Sequence, residues 1–89
     1  MPESFSLDRA YPNPFNPVTT LSFALPVTSN VLLEVYDING RLINELINYN
    51  MDAGYHSVVW NADSQASGVY FVKMLAGDYV SSQKLMLIK

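Results

Sequence analysis

Along most of this chain apolar and polar residues alternate with a period of two, the repeat of a strand with one face buried and one face wet. Leu21, Phe23 and Leu25 alternate with Thr20, Ser22 and Ala24, and Val31, Leu33 and Val35 with Leu32, Glu34 and Tyr36. His56, Val58 and Trp60 share one face of a later segment, and Tyr70, Val72 and Met74 share a face of the next. Turn chemistry interrupts the pattern every ten residues or so: Pro26, Asp37-Ile38-Asn39-Gly40, Ala53-Gly54 and Gly77-Asp78. Such spacing predicts strands over residues 4–9, 19–25, 31–36, 41–51, 55–60, 68–76 and 79–88, six or seven in all, packed as two antiparallel sheets.

Two stretches depart from the alternation. Tyr11-Pro12-Asn13-Pro14-Phe15-Asn16-Pro17 has three prolines in six residues. Each removes a donor and biases its predecessor toward extended geometry, so this is a stiff loop and not a central strand. In residues 41–51, Leu42, Ile43, Leu46 and Ile47 fit a helical stripe as well as a strand. Asn44, Asn48 and Asn50 weaken a helix, and an Asn-Gly turn just before favours antiparallel return, which makes strand the expected state. Trp60 is the expected core anchor, and the domain is expected to run as a single unit from about Phe5 to Lys89.

Composition changes this picture little. With 89 residues the chain has room for one domain, and 49% hydrophobic against 15% charged residues places it among sequences that fold. The net charge of -3 and the single placement of Arg9, Arg41, Lys73, Lys84 and Lys89 give no basic stripe for nucleic acid. Without cysteine there is no disulfide, thiolate metal site or cysteine nucleophile, so stability rests on packing and sheet hydrogen bonds. No run of 18 apolar residues and no secretory leader pattern occurs, and Met1-Pro2 reads equally as a start placed before an excised domain.

Candidate chemistry is sparse. The one histidine, His56, lies on the face of Val58 and Trp60 and reads as structural, and no nucleophile, base and orienting group fall together. Asp37-Ile38-Asn39-Gly40 resembles part of a calcium loop, but its Gly comes too early and no closing Glu follows. The carboxylates are dispersed among turns and polar faces, so neither a catalytic residue, a metal site nor a cofactor site is expected. Tyr11, Phe15, Tyr49, Tyr55 and Tyr79 offer rings for a sugar-stacking platform, though partial burial explains them as well.

The motifs have an order. Pro12, Asn13 and Pro14 precede Thr19-Thr20-Leu21-Ser22-Phe23; Val35-Tyr36-Asp37 leads to Gly40-Arg41; Ala53-Gly54-Tyr55-His56 leads to Trp60; Ser67-Gly68-Val69-Tyr70-Phe71 follows; and Lys84-Leu85-Met86-Leu87-Ile88-Lys89 closes the chain. This succession, over nearly the whole chain, resembles the type A C-terminal sorting domain of proteins exported by the type IX (Por) secretion system. The resemblance implies an immunoglobulin-like sandwich at the end of a larger secreted protein. It implies a domain that is not an enzyme and that directs an N-terminal cargo from the periplasm across the outer membrane to the medium or cell surface.

The partners so implied are the type IX machinery and a sortase-like peptidase, although no recognisable cleavage site lies ahead of Phe5. The recognised element would be the last strand, Lys84, Leu85, Met86, Leu87, Ile88 and Lys89, and the agreement of its position with the family's end favours a native C-terminus. Pro12, Asn13, Pro14, Gly40, Arg41, Gly54, Trp60, Gly68 and Tyr70 would be structural. A free strand edge suits a translocon signal, since an edge can pair with a partner strand. Two other readings stay open: the Ig-like domain of flagellar hook-capping proteins shows a similar succession of motifs, and a carbohydrate-binding accessory domain would also use a sandwich.

Overall fold

A computed structural model describes residues 2–89, and the expectation attached to Met1 lies outside them. The strands are β1 (Ser6–Leu7), β2 (Val18–Leu25), β3 (Ser29–Asp37), β4 (Leu42–Met51), β5 (Gly54–Asn61), β6 (Gly68–Ala76) and β7 (Tyr79–Leu87). They form a three-stranded sheet of order β1-β2-β5 and a four-stranded sheet of order β4-β3-β6-β7, every pair antiparallel. The described residues contain no helix, and the architecture is the expected all-β, immunoglobulin-like sandwich.

The two-residue alternation becomes the two faces of each sheet. Leu21, Phe23 and Leu25 of β2, Val31, Leu33 and Val35 of β3, Val72 and Met74 of β6, and Leu85 and Leu87 of β7 meet in one core. Each contributes on the order of 1.5–3 kcal/mol by leaving water, against the entropy of ordering the chain. Trp60 is the anchor: its ring lies 5.5 Å from both Phe15 and Tyr70, the second edge-on. The Tyr70 hydroxyl, which burial would otherwise orphan, donates to the Ala66 carbonyl at 2.6 Å.

Two turns show the local chemistry. In the β3–β4 hairpin the Asp37 carboxylate accepts from the amides of Asn39 and Arg41, the Gly40 amide donates to the Asp37 carbonyl, and Gly40 takes φ +81°. That is a type I turn closed by a glycine bulge, the three-residue hairpin solution. The β6–β7 hairpin uses Gly77 at φ +57° for its first central position, the primed-turn geometry that two-residue hairpins require.

The strand reading of residues 41–51 holds, and its helical look has a cause. Leu33 opposes Ile47 and Glu34 opposes Glu45, leaving Leu46 extra; Val35 opposes Asn44 and Tyr36 opposes Leu42, leaving Ile43 extra. Two bulges shift the inward phase of β4 twice, so the apolar residues that pack inward fall at 43, 46 and 47 instead of alternating, and Leu42 beside them on the outer face completes the helical look.

The first strand is shorter than the expected 4–9. Only Ser6 and Leu7 pair as a strand with β2, and Asp8 adds one amide bond to the Ser22 carbonyl at 2.8 Å. Beyond it the Gln83 side chain takes over, donating to the Asp8 carbonyl at 2.6 Å and accepting from the Ala10 amide at 2.8 Å. The segment is thereby tied to the edge of the other sheet before Tyr11 returns to β2, exchanging both backbone bonds with Thr20.

Candidate functional site

The tail splits by parity. Leu85 is 0% exposed and Leu87 2%, both in the core, while Lys84, Met86 (38%) and Ile88 (54%) face solvent. On the outer face of the four-stranded sheet Lys84 stands opposite Phe71 and Met86 opposite Val69, with Tyr36 on the far side of Phe71. A cation and a short row of accessible apolar side chains therefore share one surface. Lys89 is held at the margin: its amide donates to Ser67 Oγ at 3.0 Å and its ammonium to the Asp63 carbonyl.

The edge of this strand is not free over residues 84–88, contrary to the expectation of an edge open to a partner. Asn13 Nδ2 donates to the Lys84 carbonyl and Asn13 Oδ1 accepts from the Met86 amide, each at 3.0 Å. Phe15 continues the pairing through its backbone, its amide donating to the Met86 carbonyl at 2.9 Å and its carbonyl accepting from the Ile88 amide at 3.0 Å, a parallel bridge. The Pro-rich loop thus satisfies the outward groups of the tail. The loop is tied down in turn, since Thr19 Oγ1 donates to the Pro12 carbonyl at 2.7 Å and the Phe15 ring is buried against Trp60. Asn13 carries this latch because an amide side chain presents a donor and an acceptor spaced like those of a strand.

Sequence reasoning placed Pro12, Asn13 and Pro14 in a loop but did not bring that loop to the tail. It also passed over Gln83 and Ser67. An asparagine between prolines, its backbone restricted by the following Pro14, was the available signal; Gln83 carried none, being one polar residue in a polar half-strand.

The remaining motif residues lie apart from the tail surface. Arg41 pairs with Asp37 at 3.0 Å in the β3–β4 turn, Gly54 begins β5 and Gly68 begins β6. The backbone and side-chain bonds from Arg41, with the Asn39 amide, hold the Asp37 carboxyl below its ordinary range. Next to it on the outer sheet face, the Tyr36 hydroxyl donates to Glu34 at 2.6 Å, which pushes the phenol upward.

His56 stacks on Phe23 with centroids 5.4 Å apart, and its Nε2 lies 2.8 Å from the Asp52 carbonyl, a packing role. The five aromatic residues do not form one platform. Phe15 is core, Tyr79 stacks on Phe5, and Tyr11, Tyr49 and Tyr55 project from three separate elements. Among the described residues no three His, Cys, Asp or Glu side chains converge on a metal-sized space, and no helix is long and apolar enough to cross a membrane.

Comparison with known proteins gives one match and two blanks. The family model described as a secretion system C-terminal sorting domain matches residues 9–89. No curated protein matches the chain, and no solved structure does. The match spans the Pro-rich loop, every strand after the first and the whole tail, and it favours neither the hook-capping nor the carbohydrate-binding reading. The chain therefore belongs to the family of secretion system C-terminal sorting domains, the signals that send an attached N-terminal cargo through the type IX machinery across the outer membrane to the cell surface or the medium.

Proposed function

We propose that the export machinery reads the side chains on the outer face of the tail, Lys84, Met86 and Ile88 together with Lys89, while Leu85 and Leu87 anchor that surface in the core. The observation that carries this reading is the split in exposure along β7, combined with the Asn13 and Phe15 latch that takes up its edge. A partner approaching the folded domain meets a cation flanked by accessible apolar groups, a combination suited to a surface with matching apolar patches and a carboxylate. The domain is a single non-catalytic unit of a larger secreted protein.

The test replaces Lys84 and Lys89 with alanine, singly and together, behind a fluorescent cargo. Both residues are exposed and only the Lys89 side chain makes a bond, to the Asp63 carbonyl, so the variants should keep stability within about 1.5 kcal/mol of the parent. Export should fall in the double variant while the domain still melts cooperatively; undiminished export from that folded variant would remove the lysines from recognition.

A further inference from the structure

The two sheets differ in strand number, and the difference leaves one edge of the sandwich unguarded. Sheet edges are normally covered, shortened, bulged or charged against adventitious pairing. Three of the four edge strands here follow that practice: β1 has two residues, the tail of β7 is covered by the Pro-rich loop, and β4 carries two bulges. The fourth, β5, pairs with β2 through eight consecutive residues without irregularity and contains no proline and no charged residue.

Its free hydrogen-bonding groups follow from those of β2. Thr20 exchanges both backbone bonds with Tyr11, at 3.0 and 3.1 Å, and the Ser22 carbonyl accepts from Asp8. The even residues of β2 thus face the N-terminal segment, and Thr19, Leu21 and Phe23 face β5, where their partners are Trp60, Val58 and His56. Tyr55, Ser57 and Val59 therefore turn N–H and C=O outward, where no described strand lies.

The other sheet shows the same gap. Tyr49 on β4 opposes Val31, a fully buried inward residue, so its ring is on the inner face; yet Tyr49 is 57% exposed. Its ring points toward the layer of the three-stranded sheet at a place where that sheet has no strand.

We propose that β5 is a strand-accepting edge, occupied by an extended segment of a separate protein that adds to the sheet as its fourth strand. Backbone bonds to Tyr55, Ser57 and Val59 would hold it, and its alternate side chains would turn inward onto Tyr49. The paired stretch of that segment is uncharged, because the β4 residues that face or pack inward, Ile43, Leu46, Ile47, Tyr49 and Met51, carry no charge and β5 has no Asp, Glu, Lys or Arg. A second copy pairing β5 with β5 is the other occupant this edge admits, and a domain that dimerises through Tyr55, Ser57 and Val59 at the concentration of the exchange measurement below would overturn a separate segment. The site stands on the fold; its use in export rests on the reading proposed above.

The test uses a capped peptide copying residues 54–61 as a generic uncharged strand, since antiparallel pairing about Ser57 sets Tyr55 opposite Val59. At about 1 mM peptide the amides of Tyr55, Ser57 and Val59 in the labelled domain should exchange at least about tenfold more slowly. The Met86 amide, already held by Asn13, should not change. Unchanged exchange at all three positions would overturn the site, and this arm needs no variant.

In cells, Ser57→Pro removes one outward donor and no bond to β2. Cargo carrying it should be retained as in a secretion mutant, with the domain still folded. Export equal to the parent would overturn the role in export, whereas failure of the unaltered domain to be exported would count against the functional reading and leave the peptide result standing.

Discussion

Asn13 secures the tail with one side chain. Its donor and acceptor meet Lys84 and Met86 across 71 and 73 residues of sequence. Asn13→Ala should cost about 1–2 kcal/mol, two side-chain hydrogen bonds at an exposed site, and should speed exchange of the Met86 amide more than that of core amides. Asn13→Asp keeps the acceptor but sets a carboxylate oxygen against the Lys84 carbonyl, so denaturant melts should place it no higher than the alanine variant. Asp37 supplies a pH signature at the same scale. Its carboxyl is held low chiefly by the Arg41 amide, so its contribution to stability is full above the unfolded value near pH 4 and fades as pH falls through the lower folded value. Thermal melts of the parent and of Asp37→Asn should differ by a constant interval from pH 8 to 5 and converge in more acidic buffer; an interval that widens on acidification would contradict the assignment.

At the scale of elements, β7 supplies core side chains and, on the reading proposed above, the recognised surface, and a truncation cannot separate the two. Leu85→Ala, at a fully buried site, should cost about 2–5 kcal/mol. A domain of this size holds roughly 5–15 kcal/mol in total. Removing residues 84–89 takes away Leu85 and Leu87 together and should unfold the sandwich, visible as loss of a cooperative melt. Loss of export on truncation would then report folding, not recognition, and only outward-facing substitutions separate the two. Strand positions were legible because a half-buried strand leaves a period-two trace, as β2, β3 and β6 do. Residues 41–51 blurred it because two bulges shift the phase, and residues 8 and 9 left the first strand because Gln83 captures the backbone on either side of Arg9. The tail was legible as a motif through its resemblance to a known family. Its covered edge was not, because contacts between residues more than 70 positions apart leave no periodic signal in one sequence.

At the scale of the molecule, the N-terminal segment and the tail are built into one side of the sandwich. Cargo joined ahead of β1 therefore pulls on the same region that holds the C-terminal strand in place, through Gln83, Asn13 and Phe15. The opposite side, bounded by β4 and β5, is free of both. The family match makes this a C-terminal sorting signal, and on the reading proposed above its information lies in its own surface and not in its cargo. The most direct test fuses residues 1–89 to the C-terminus of a fluorescent protein carrying a Sec leader and follows it in a host with type IX secretion and in a mutant lacking it. The account predicts fluorescence in the medium or at the cell surface of the competent host alone, with periplasmic retention in the mutant. Periplasmic retention in both, with the domain shown to be folded, would contradict it.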